Sequence, residues 1–369
     1  MRTTLRPRRS PSRTETAFEA AVSAFLWAFR IILVLIVVVG SFLTISSGKY
    51  TLETWTDLVV NGAVQGGIYA LVALGYTMVY GIMKMINFAH GEIFMIGIFS
   101  GYFTAEVLSD MDVLNAGPMW SLFSILLMMA VAATISTLVA LAVERVAYRP
   151  LRHSPRLVLL ISAIGASYFL QYTVRGLVGP GIFRYPVIDV LEEPVNLPIL
   201  SALDMTWIQV IVIVSALAMM GVLYAFVMRS KMGTAIRAVS EDKETAALMG
   251  VDVTRAMVTT FAVGAAMAGA AGVLYGLYWG QVQFYTGFIP GIKAFTAAVL
   301  GGIGNIPGAM VGGFVLGEAE SIGSILIIDG LGVPSPGQLK DVIAFTILVM
   351  VLMFRPQGIM GERLSRSRA

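Results

Sequence analysis

Two carboxylates, Glu318 and Glu320, stand inside an otherwise apolar run from about Pro307 to Ile328. An ionised carboxylate at membrane depth costs several kcal/mol unless it is paired or hydrated. Glu318 falls near the middle of the run, and Glu320 lies about 200° further round a helix, so the two cannot share one face. At least one is expected to face a polar pathway or a partner. The competing reading is a neutral carboxyl hydrogen-bonded between helices. A second polar group, Asn87, His90 and Glu92, interrupts apolar sequence just after Lys84. These residues either cap a tight turn and reach water, or serve as gate residues. The third group is the stretch Arg229 to Arg255, RSKMGTAIRAVSEDKETAALMGVDVTR, the longest charge-rich interruption in the chain.

Other chemistries are excluded by what is missing. The chain has no cysteine, so thiol catalysis, disulfides and thiolate metal sites are impossible. His90 and His153 are the only histidines, too few for a histidine-rich metal site. No Gly-x4-Gly-Lys-Ser/Thr phosphate loop occurs, and Gly48-Lys49 stands alone. A net charge of +3 carries no nucleic-acid signature. Of the 369 residues, 57% are hydrophobic and 13% charged. A soluble domain carries about 25% charged residues, so most of this chain belongs in lipid.

The hydrophobic runs predict an all-α, polytopic transmembrane helix bundle of about ten spans, some short or broken. They lie near residues 17–45, 58–83, 93–102, 119–143, 157–174, 205–228, 257–279, 291–304, 307–328 and 339–354. The piece Gly291 to Gly304 is too short for an ordinary span of about 20 residues. The first run reads as a retained anchor helix rather than a signal peptide, because it is long and no small-x-small cleavage site clearly follows. Arginines crowd the tail Met1 to Thr16, the loop Glu144 to Arg156, the stretch Arg229 to Arg255 and the end after Phe354. All four are therefore expected on the cytoplasmic side, which requires an even number of crossings. Gly62 with Gly66, Gly97 with Gly101, and Gly272, Gly276 and Gly280 read as packing seams. Glu144 reads as a solvated partner of Arg145, and Lys293 as a snorkelling residue near an outer span end.

Within Arg229 to Arg255, Ser240 is a candidate N-cap, with Glu241, Asp242 and Glu244 in the first turn. Gly250 is a natural stop, which leaves a helix of roughly nine residues, too short to be stable alone. Its small residues, Ala246 among them, suit a plug for a groove in another protein.

The string Glu244-Thr245-Ala246-Ala247-Leu248-Met249-Gly250 resembles a degenerate form of the EAA…G loop that docks ABC-importer permeases on their ATPase. The segment NGAVQGGIYALVALGYTMVYGIMKMINFAHGEIFMIG, Asn61 to Gly97, is similar to the permease subunits of branched-chain amino-acid ABC importers. Asn87-Phe88-Ala89-His90-Gly91 is the most recognisable part of it. A second match runs from Lys293 to Ala309, KAFTAAVLGGIGNIPGA, and a third is Arg355-Pro356-Gln357-Gly358-Ile359. The resemblance spans about Trp55 to Gly361, so that the permease membrane domain is expected over 55–361 with short cytoplasmic tails at 1–16 and 362–369.

Such a resemblance implies a non-catalytic transport subunit of a bacterial inner membrane, with both termini cytoplasmic. It implies a second, homologous permease, two cytoplasmic ATPase subunits that hold ATP and Mg, and a periplasmic solute-binding protein, with no cofactor in this chain. The implied cargo is leucine, isoleucine and valine; some relatives carry other amino acids or amides such as urea. The implied coupling residues are Arg237, Glu241, Asp242, Glu244, Ala246, Ala247 and Gly250. Two other classes compete. A secondary transporter would use the same broken helices and buried carboxylates without needing the docking helix. A membrane enzyme would need a cluster of nucleophile, base or metal ligands that this chain lacks.

Overall fold

The computed structural model describes residues 13–152, 154–195 and 203–361. Most of the expected basic tail, residues 1–12, and the C-terminal tail 362–369 lie outside them, as does His153. Helices dominate the described residues, and the one strand pair among them, Phe183–Arg184 against Gln281–Val282, is antiparallel.

The helices are α1 (Arg13–Ser47), α2 (Leu52–Met83), α3 (Ala89–Asp110), α4 (Pro118–Val143), α5 (Arg156–Val178), α6 (Asp189–Glu192) and α7 (Trp207–Arg229). Then follow α8 (Lys231–Glu241), α9 (Lys243–Leu248), α10 (Val253–Trp279), α11 (Phe288–Gly301), α12 (Ile306–Gly323) and α13 (Lys340–Phe354). Among the described residues, 9 helices are long and apolar enough to cross a membrane, and α11 is a shorter apolar one. Ten crossings are thus accommodated, with α11 as the short span foreseen at Gly291 to Gly304.

The chain divides into two compact units. The smaller holds α1 and the turn Ser324–Asp329. Within it α1 packs closely on that turn, a Cβ at Gly40 standing 2.5 Å from the Ile327 carbonyl oxygen. Thr44 Oγ1 donates to the Ile325 carbonyl at 3.4 Å, and Lys49 pairs with Asp329 at 3.0 Å. Phe25, Trp27, Ile31 and Val34 of α1 remain exposed, as lipid-facing residues do.

In the larger unit α2 is apolar on all sides and buried through most of its stretch from Val60 to Met83, the pattern of a central helix. Neighbouring backbones approach it at glycines. A Cβ at Gly313 of α12 would stand 2.5 Å from the Cα of Ala70, so only glycine permits that crossing. The α3–α10 crossing is equally close, since a Cβ at Gly97 would lie 2.5 Å from the Cα of Gly269. Gly280 is not part of the seam. It ends α10 in a left-handed conformation, φ +67°, and its N–H donates to Gly276 O.

Two of the sequence motifs meet here. The N–H groups of Ile359 and Met360 donate to the carbonyls of Leu300 and Gly301 at 2.8 and 3.0 Å. Asn305 Nδ2 returns a bond to the Met360 carbonyl at 2.8 Å. The Arg355 to Ile359 segment thus satisfies carbonyls at the end of α11 that a short, glycine-ended helix would leave open.

Candidate functional site

Three polar regions stand out, and the first is the elbow between α7 and α10. It contains two helices rather than one. Ser230 caps α8, its Oγ accepting from Gly233 N–H at 2.8 Å. Asp242 caps α9, its Oδ1 accepting from the N–H groups of Glu244 and Thr245 at 2.9 and 3.1 Å. Ser240 is no N-cap; its hydroxyl donates to the Arg237 carbonyl. Asp242 wins the role because its extended backbone points the carboxylate at the next turn. The Thr245 donors, then the Glu244 N–H, hold its carboxyl below the usual carboxylate range. It is therefore ionised at neutral pH, and the cap weakens only as pH falls through that lowered value.

Gly250 closes α9 as expected, at φ +83°. Its N–H donates to Ala247 O and that of Val251 to Ala246 O, both at 3.0 Å, the paired bonds of a Schellman stop. The expected small face is turned inward. Ala246 is buried against its own chain, so it cannot enter a groove elsewhere. Leu248 and Met249 are instead 87% and 80% exposed. Glu241, Glu244 and Ala247 are exposed beside them. Arg237 turns back toward Met228, its Nη2 donating to that carbonyl at 3.5 Å. In the sequence, Leu248 and Met249 stand out only as an apolar pair ending a charged stretch.

The second region is the turn from α2 to α3. Asn87, His90 and Glu92 neither cap it nor reach water, since all three are buried. Asn87 Oδ1 accepts from the Tyr148 hydroxyl at 2.6 Å. His90 lies edge-on to Tyr76 with ring centres 4.9 Å apart. Glu92 Oε1 accepts from Ser167 Oγ at 3.2 Å and lies 3.5 Å from Gln171 Nε2. Glu92 thus binds α3 to α5, and Asn87 binds the α2–α3 turn to the segment after α4. Nearby, Glu144 is buried and pairs with Arg152, while Arg145 is exposed. The expected Glu144–Arg145 pair gives way because adjacent helical residues point about 100° apart.

The third region gathers around Lys293, which is buried rather than snorkelling. Its Nζ lies 3.0 Å from Glu320 Oε2 and 2.7 Å from Asp341 Oδ1. Tyr69 of α2 adds its hydroxyl, which donates to Glu320 Oε2 at 3.1 Å. Helices α2, α11, α12 and α13 thus share one ionic cluster. Of the two glutamates of α12, Glu320 and not Glu318 belongs to it. Glu318 is only partly buried and faces Gly62 of α2. Asp341 was missed because it stands beside Lys340 at a span end, where charges are ordinary.

With this geometry in place, comparison with known proteins is decisive. The family model described as the branched-chain amino acid transport system permease component matches residues 58–352. The chain belongs to this permease family. The high-affinity branched-chain amino acid transport system permease protein LivH of Salmonella typhimurium is 43% identical over 308 residues, 82% of this chain and 94% of the relative. BraD of Pseudomonas aeruginosa, described in the same words, is also 43% identical, over 82% of this chain and 95% of its own. The probable branched-chain amino acid transport permease protein LivM of Methanocaldococcus jannaschii is 28% identical over 36% of this chain. No solved structure matches the chain. The permease's α1 lies ahead of the matched region. Among the described residues, no group of three or more His, Cys, Asp or Glu could hold a metal ion.

Proposed function

We propose that this permease carries leucine, isoleucine and valine across a bacterial inner membrane as one membrane subunit of an ATP-driven importer. The observation that carries the reading is the 43% identity to LivH and BraD over nearly their whole length. A second, homologous permease completes the pathway, two ATPase subunits bind ATP and Mg on the cytoplasmic side, and a periplasmic solute-binding protein delivers the cargo. Both termini and the loops 144–156 and 229–255 face the cytoplasm, following the arginines. The 55–361 region forms the transport domain.

In this reading α9 is the contact with an ATPase, and its exposed Leu248 and Met249 enter the partner while Ala246 anchors the helix to its own chain. Two large apolar side chains at the end of a six-residue helix gain by burial in another protein. Arg237, Glu241, Asp242, Glu244, Ala247 and Gly250 shape and surround that contact. Asn87, His90, Glu92 and Glu318 fix helices around the pathway, and Glu320 belongs to the Lys293 cluster.

Proteoliposomes holding this chain, the second permease and the ATPases test the reading. With ATP and Mg inside, and the binding protein with labelled L-leucine outside, they are expected to accumulate leucine. Accumulation driven by a proton or sodium gradient, without ATPases, would instead make the chain a secondary transporter.

A further inference from the structure

Lys293 has three ammonium donors. They face Glu320 Oε2 at 3.0 Å, Asp341 Oδ1 at 2.7 Å and the Tyr69 hydroxyl at 3.4 Å. The two carboxylates are not equivalent. The Glu320 side chain is wholly buried, whereas that of Asp341 is 48% exposed. Glu320 is also bonded by Tyr69, so its hold on Lys293 is fixed from two sides. The Asp341 contact lies at the surface of the chain and can be opened without stranding a buried charge, since Lys293 keeps Glu320. Lys293 is thus a single cation facing two carboxylates, and the second of them, Asp341, sits at the exposed end.

We propose that the Lys293–Asp341 pair is an exchangeable contact for a zwitterionic α-amino acid, with Asp341 taking its α-ammonium and Lys293 its α-carboxylate. The exchange is balanced. The substrate ammonium replaces Lys293 on Asp341, and the released Lys293 donor meets the substrate carboxylate. Lys293 keeps Glu320 and Tyr69 throughout, so no charge is left unpaired. The site reads the backbone ends common to all α-amino acids and leaves side-chain choice to other surfaces. This inference rests on the transport reading above.

The absence of cysteine makes the test direct. Asp341→Cys and Asp341→Asn are made in the assembled importer, and uptake is compared at matched abundance. Losing a hydrogen bond to a charged group is expected to lower leucine uptake about tenfold or more. A negatively charged methanethiosulfonate reagent on the Asp341→Cys variant restores a negative charge and should restore uptake. Leucine delivered by the binding protein should slow that modification. Asp341→Glu, which keeps the carboxylate, should retain most uptake. If Asp341→Asn transports at the wild-type rate, the pair is a fixed staple and the proposal fails. It also fails if leucine gives no protection while assembly with the second permease alone blocks the reagent, because the extra charge then meets a cation of that subunit. Wild-type importer that takes up no leucine would overturn the transport reading itself, whatever the variants do. Should Asp341→Cys not assemble, Asp341→Asn with the Asp341→Glu rescue decides alone.

Discussion

The elbow at α9 and the cluster at Lys293 sort their side chains in opposite senses. At the elbow, outside the spans, the small Ala246 is buried and the large apolar Leu248 and Met249 are exposed. In the bundle, among apolar helices, Lys293 and Glu320 are buried while Asp341 is half-exposed. Each arrangement is unfavourable for an isolated chain and becomes reasonable once something else is present. For the elbow that is a protein surface that covers apolar groups. For the cluster it is an exact charge partner, supplied mostly by the chain itself. Burial in the fold and availability to a partner are therefore separate properties of each position.

The largest effect is expected at the cluster. Glu320→Leu leaves Lys293 buried with only the half-exposed Asp341, and breaking a buried pair in this way is expected to cost about 3 kcal/mol. Adding Lys293→Met removes the stranded charge and should recover most of the loss, since apolar replacements of a buried pair are often neutral. Unfolding of the detergent-solubilised protein by denaturant would show both effects. A single variant as stable as the wild type would mean the cluster is not a buried ionic one.

A smaller effect is expected at the elbow. Gly250→Val forces a β-branched residue to φ +83°, a strain of about 1–3 kcal/mol. The strain falls on the Schellman bonds, so amide exchange of Ala247 to Val251 should quicken while the spans keep their protection. Unchanged exchange there would show that the turn adapts, and that Gly250 is dispensable to the shape of α9.

Much of this architecture is legible in the sequence, for identifiable reasons. Spans are long apolar runs, so ten of them, including the short α11, can be counted directly. Gly250 announces its stop because few residues accept positive φ. What the sequence conceals is direction round the helix. In a helix such as α2, apolar on every side, no periodicity marks the face that meets Lys293 through Tyr69. The same ambiguity makes Gly280 resemble a seam residue and leaves open which of Glu318 and Glu320 meets a polar partner. At the elbow, Ser240 and Asp242 are both acceptable caps by type, and only the backbone between α8 and α9 decides for Asp242. The inward turn of Ala246 depends on how α9 lies against its own chain, which no local pattern records.

The central claim is that this permease engages its ATPase through the exposed end of α9. The most direct measurement is capture of the ATPase by the purified permease pair carrying Leu248→Asp and Met249→Asp, with uptake followed in the same preparation. Two charges placed in an apolar contact should weaken the association about tenfold to a hundredfold and abolish most uptake, while membrane insertion and pairing of the permeases persist. Full ATPase capture and normal uptake by this variant would contradict the account.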